Sequence, residues 1–174
     1  QEDGFHRGRQ LYLQAWLAYA QGEKTKYTQL YEKAIEIFSR SPRTAPYLYT
    51  CHRATGVAKY SNDTENALTH FKACYALAAY MGKEDKQEGI DANNNIGATY
   101  YMLNNYPEAI RYYKEAMAKD KELHGEDSPN TSRYLNNIAS VYQNQEKFEK
   151  AIRHYNKGID HLQTHYPEKT IKLA

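Results

Sequence analysis

The sequence predicts an all-α protein, a solenoid of about four helix–turn–helix repeats. Three observations carry that expectation. The chain repeats itself: NNIGATYYMLNNYPEAIRYYKEA at 94–116 returns as NNIASVYQNQEKFEKAIRHYNKG at 136–158. Inside each copy the apolar residues follow a helical period. Between the periodic stretches stand the residues that break helices.

The interval is constant over the second half of the chain. Asn95 and Asn137, Tyr100 and Tyr142, Ala109 and Ala151, and Tyr113 and Tyr155 are each 42 residues apart. The same step backwards leads from Ala109 to Ala67, from Tyr113 to Phe71, from Ala98 to Gly56 and from Leu123 to Met81. Self-similarity at a fixed period of about 20–50 residues marks a stack of supersecondary units, each covering the apolar side its neighbour cannot bury alone.

Taken in order, the first repeat spans 9–39. It keeps the rhythm in LYLQAWLAYAQGEKTKYTQLYEKAIEIF, with Gly22 in its turn and a slightly shorter step. The second, 47–81, turns near Asn62–Asp63 and ends at Gly82. The third, 90–123, places Ile96, Tyr100 and Leu103 at i, i+4 and i+7, then Tyr106, Ala109, Ile110, Tyr113 and Met117 on a second helix. The fourth, 132–164, follows Ser128-Pro129, read as an N-cap and a proline at the first helical position. Residues 165–174 read as the start of a further helix that is cut short. Pro42, Pro46 and Pro167 lie between repeats, and no proline falls within a helix interior, where it would break the ladder. The whole chain, 1–174, is expected to form a single repeat domain.

Small residues stand where two helix axes must approach. These are Gly97 and Ala139 on first helices, and Ala109 and Ala151 on second helices. A larger side chain there would overpack the pair, at about 1–3 kcal/mol.

Asn95-Ile96-Gly97, Tyr100, Tyr106, Ala109, Tyr113 and Ala116 occur in the order and spacing of the tetratricopeptide repeat, which the chain resembles over nearly its whole length. The longer period, the NN pair and the HGEDSPNT linker look like the repeats of kinesin light chains and of many bacterial signalling proteins. Two departures predict irregular packing. Thr64 replaces the aromatic residue that opens a second helix, and Tyr27 occupies a position expected to be small.

The resemblance implies a right-handed αα-superhelix whose first helices line a concave groove. Polar residues of those helices become the expected peptide- or partner-binding surface: Asn94, Asn95, Tyr101, Arg133, Asn136, Asn137, Ser140 and Asn144, with His52, Arg53, Lys59 and Tyr60 from the second repeat. An amide side chain presents a donor and an acceptor together, matching the backbone of an extended peptide. In related repeats the asparagine at the Asn95/Asn137 position holds such a backbone. The alternative is that both asparagines only bridge neighbouring helices. Arg53 and Arg133 would meet carboxylates.

Several function classes find no support. A net charge of +2 and a pI near 8.4 are too weak a bias for a nucleic-acid partner. No window approaches the ~18 consecutive apolar residues of a membrane span. There is no glycine-rich phosphate loop, G-x-S-x-G or H-E-x-x-H, so no catalytic, cofactor or metal residue is assigned. His161 and His165, with His154 before them, read as solvent-facing rather than as zinc ligands, for want of further ligands. Cys51 and Cys74 flank the turn of the second repeat at equal distance. They are either two buried thiols or, in an oxidising compartment, a disulfide. The first case leaves the compartment open, the cytoplasm included, and the second makes it extracytoplasmic (periplasmic).

The expected function is a non-catalytic scaffold for a protein or an extended peptide. The alternative is the ligand- or partner-sensing part of a bacterial signalling or transcription regulator. Self-association through a terminal repeat is compatible with either.

Overall fold

The computed structural model describes residues 2–167. Eight α-helices follow one another among them: α1 (Glu2–Ala20), α2 (Lys24–Phe38), α3 (Ala45–Lys59), α4 (Thr64–Tyr80), α5 (Gln87–Met102), α6 (Tyr106–His124), α7 (Asn130–Asn144) and α8 (Phe148–His165). A single 3-10 turn, Pro42–Thr44, precedes α3. The described residues contain no strand, and the fold is all-α and tetratricopeptide-like. The expected further helix at 165–174 lies almost wholly outside the described residues. None of the described helices is long and apolar enough to cross a membrane.

The chain divides into two compact units, Gln1–Glu84 and Asp85–Ala174. Each contains two helical hairpins. In the first unit α1 packs on α2, α2 on α3 and α3 on α4. In the second, α5 packs on α6, α6 on α7 and α7 on α8.

Recurring local chemistry shapes the hairpins. Asn104 and Glu146, one repeat apart, both take the left-handed conformation at φ 58°. After α5, the Asn105 N–H reaches the Tyr100 carbonyl at 2.9 Å. After α7, the Lys147 N–H reaches that of Tyr142 at 2.9 Å. These bonds close the last turn and satisfy carbonyls that have no partner inside the helix. Asn104 tolerates that geometry through its short amide, and in the first hairpin Gly22 (φ 74°) meets it without a Cβ. The Asn105 side chain then accepts the Glu108 N–H at 3.4 Å and caps α6.

Packing inside each hairpin follows the small-residue pattern. A Cβ added to Gly97 would lie 3.0 Å from the Tyr113 ring, and one added to Gly56 would lie 2.8 Å from Phe71. The same close approach thus recurs in both units. Tyr27 is buried where the other copies carry alanine, its ring 5.3 Å from Tyr19 and 6.2 Å from Tyr31. The first hairpin accommodates it by an aromatic edge contact. Pro46 falls in the first turn of α3, whose start at Ala45 precedes the expected repeat boundary.

The linker between α6 and α7 is held by a buried carboxylate. Asp120, fully buried, accepts from Ser128 Oγ and from Asn130 Nδ2 at 3.0 Å, and His124 Nδ1 stands 3.2 Å away. Ser128 Oγ in turn accepts the Asn130 N–H at 3.3 Å, while Pro129, expected as the first helical residue, takes the position directly before the helix.

His161 departs from the solvent-facing expectation. Its Nδ1 lies 3.1 Å from Ser132 Oγ and its Nε2 lies 3.1 Å from the Glu126 carbonyl, tying α8 to the start of α7. The ring nitrogens are used in packing. Among the described residues no group of three metal-ligating side chains converges.

Candidate functional site

In the second unit, α5 and α7 are first helices of consecutive hairpins, and two side-chain bonds join them. Asn137 Nδ2 donates to Asn94 Oδ1 at 3.3 Å, and Asn144 Nδ2 donates to the Tyr101 hydroxyl at 2.8 Å. Donor and acceptor are 43 residues apart in both bonds. The repeat step plus one residue therefore sets the rungs, seven residues apart on each helix. Two helical turns separate the rungs, so both fall on one edge.

The rungs leave specific capacity unused. Asn94 contributes its carbonyl and keeps its amide protons. Asn137 contributes one proton and keeps its carbonyl and a second proton. A donor and an acceptor therefore stand side by side on a half-buried surface. The Asn95 side chain is half-buried and enters neither rung. Arg133 is exposed beside them, its guanidinium 5.2 Å from the Tyr134 ring centroid and its Nη2 3.4 Å from the Tyr134 hydroxyl. A cation resting on a ring loses less freedom when it meets an anion.

The remaining nominated residues of α7 lean towards α8. Ser140 Oγ is 3.2 Å from the Tyr155 hydroxyl, which also donates to Gln143 Oε1 at 3.0 Å. Asn136, though exposed, lies against Gly158, where an added Cβ would come within 3.0 Å of its Oδ1. These two residues serve the hairpin's own seam.

The first-unit residues divide similarly. Arg53 is exposed and Tyr60 half-buried. Lys59 turns to neighbouring helices, with Nζ 3.0 Å from Glu32 Oε1 and 4.0 Å from Asp63 Oδ2. His52 meets His70 of α4, the two Nδ1 atoms 2.8 Å apart. Only one of two facing nitrogens can carry the proton, so the pair needs at least one neutral ring. Burial and the facing imidazole push His52 down to about 4. Burial, then Lys59, pushes His70 down, with Glu32 and Asp63 opposing.

Cys51 and Cys74 are free, buried thiols. Cys74 Sγ is directed at the Tyr49 carbonyl 3.6 Å away, and burial pushes both thiols up to about 12. At that value neither is a ready nucleophile.

Sequence reading missed His70 and Asn93. Asn93 is fully buried; its Nδ2 donates to Glu115 Oε1 at 3.1 Å, and its Oδ1 has no hydrogen-bond partner. The signal for Asn93 was present: it replaces the position of Leu135 one repeat on, a polar residue inside an apolar stripe. Nothing in the spacing of His52 and His70 marks them as neighbours.

Comparison with known proteins places this architecture. Two family models, both described as Tetratricopeptide repeat, match residues 90–164 and 11–41. Among solved structures the chain is similar to BtubC (BKLC) from P. vanneervenii, at 20% identity over 88% of this chain and 62% of that one, with a TM-score of 0.78. It is similar to aspartyl phosphate phosphatase F from Bacillus subtilis at 21% identity, 91% and 41% coverage, and a TM-score of 0.72. A putative kinesin light chain from Podospora anserina, with nearly identical TPR-like repeats, aligns at 14% identity, 91% and 75% coverage, and a TM-score of 0.72. The chain thus spans less than two thirds of the first two proteins, and at these identities the likeness is one of fold. No curated protein matches the sequence. Tetratricopeptide repeats are generally non-catalytic scaffolds for protein partners. The repeat spacing, the hairpin geometry and both family matches agree that this chain belongs to the tetratricopeptide-repeat family.

Proposed function

We propose that the chain is a non-catalytic scaffold that holds an extended peptide along the first-helix face of its second unit. The observation that carries this reading is the Asn94–Asn137 rung, whose leftover amide donor and carbonyl acceptor match one peptide unit of an extended backbone. Asn95 stands beside the rung, and Arg133 supplies a cation for a carboxylate of the ligand. Tyr101 and Asn144 form the second rung and continue the track. Ser140 and Asn136 support the seam behind it. His52, Arg53, Lys59 and Tyr60 remain candidates for a partner of the first unit, and Arg53 is the exposed cation among them.

Selection of peptides from a displayed random library, followed by titration of the strongest binder, tests the reading. Asn94→Ala with Asn137→Ala should weaken that peptide by roughly tenfold or more, about 1.4 kcal/mol. Far-UV circular dichroism should stay unchanged. Selected peptides that bind wild type and double variant equally would remove the face from consideration.

A second reading takes the chain as the partner-sensing part of a bacterial regulator. Its support is the fold likeness to aspartyl phosphate phosphatase F.

A further inference from the structure

A groove of about 1610 Å³ opens in the first unit, away from every residue discussed as a binding surface. It runs between the beginning of α1, the end of α2 and the 3-10 turn. Its floor is apolar. Phe5, 37% exposed, packs its ring 6.3 Å from buried Phe38 and 6.0 Å from Tyr47, and Ile37 continues the surface. Its rim is cationic: Arg7, Lys33, Arg40 and Arg43 line it, against Glu36 as the acidic residue along it.

Two features mark this cluster. Lys26, Lys59, Arg111, Lys119 and Lys121 each meet a carboxylate at 2.5–3.0 Å, whereas other cations, such as Arg53 and Arg133, have none among the described residues. The four rim cations enter no ion pair among the described residues. The segment bearing Arg43 is also fixed in place. Buried Thr44 sets its hydroxyl 2.5 Å from the carbonyls of Phe38 and of Ser41, pinning the turn to the end of α2. The helix macrodipole would account for one or two cations beyond the C-terminus of α2. It does not account for Lys33, a turn and a half inside that helix, or for Arg7 on α1.

We infer that this groove is a docking site for an acidic peptide segment carrying a bulky apolar side chain, which seats on Phe5 and Ile37 while its carboxylates meet Arg40, Arg43 and Lys33. Charge complementarity selects the sign of the partner, and the apolar floor supplies a place for an anchor. The concave shape favours a peptide over a lipid surface, which needs a flat or protruding face. The site is independent of the α5–α7 face, so each stands or falls alone.

The test uses the whole chain and a fluorescein-labelled synthetic peptide alternating glutamate with leucine and phenylalanine, read by fluorescence anisotropy. A glutamine-for-glutamate peptide and phosphatidylserine vesicles form parallel arms. The acidic peptide should bind, and its affinity should fall as salt rises from about 50 to 200 mM. It should weaken roughly tenfold or more with Arg40→Glu plus Arg43→Glu, both exposed residues whose replacement should leave the helical signal unchanged. Asn94→Ala with Asn137→Ala should leave it unaffected. Absent binding, equal binding of the glutamine peptide, indifference to the Arg40/Arg43 reversal, or capture of vesicles but not peptide would each overturn the assignment.

Discussion

Helices α6 and α8 are the same element one repeat apart, and the chain treats them differently. Tyr106, Ile110, Tyr113 and Met117 form the apolar edge of α6, and Phe148, Ile152, Tyr155 and Ile159 stand at the corresponding positions of α8. Over α6 lies α7, which contributes Tyr134, Ile138 and Val141, none more than 1% exposed. Over the same face of α8 no described helix lies. Phe148 is 59% exposed, Ile152 58% and Ile159 48%. A periodic pattern therefore specifies a face, while its burial is supplied by the next helix. Stability in such a stack resides in seams between neighbours as much as in single hairpins.

The largest expected effect is at the covered seam. Tyr134 is fully buried among Ile90, Ala116, Met117 and Leu123. Tyr134→Ala removes a ring at the junction of α5, α6 and α7 and leaves a cavity. A cost of about 3–5 kcal/mol is expected, read as a lowered urea midpoint. A loss under about 1 kcal/mol would mean that the α6–α7 seam contributes little, and the contrast with α8 would lose its meaning.

The linker sharpens the comparison at intermediate size. Asp120 anchors Ser128 and Asn130 after α6, whereas one step later α8 carries Leu162. Asp120→Asn keeps the shape but turns an amide group towards donors that need an acceptor. It should cost about 1–3 kcal/mol in the same urea titration. Asp120→Ala, which also vacates the space, should cost at least as much. Equality of both variants with wild type would reduce the anchor to a bystander.

Much of this architecture was legible in the sequence because it repeats. The 42-residue step located helix pairs, turns and small-residue contacts such as Gly97 on Tyr113, since each copy checks the others. What did not repeat was not legible. Asp120 has no counterpart in α8, and its partners lie eight and ten residues further on, across a linker. His52 and His70 meet through the height at which two antiparallel helices cross, which periodicity does not determine. On the candidate face, the residue types pointed to α5 and α7. Only coordinates separate Asn94 and Asn137, which retain free capacity, from Ser140 and Asn136, turned into the hairpin seam. The basic groove of the first unit escaped notice because its residues come from three elements and share no spacing.

The smallest expected effect tests the bare face directly. Ile152→Asp places a charge where the isoleucine side chain is already in solvent, so stability should stay within about 0.5 kcal/mol of wild type. The matched substitution one repeat earlier, Ile110→Asp, sets the same charge against Ile138 and Val141 of α7. A half-buried carboxylate set against those apolar side chains must either lose its solvation or force the helices apart. Ile110→Asp should therefore lower the urea midpoint clearly while Ile152→Asp does not. Were Ile152→Asp the more damaging of the two, the face of α8 would be covered in solution after all. Size-exclusion chromatography of both variants would then show whether a second copy of the chain provides the cover.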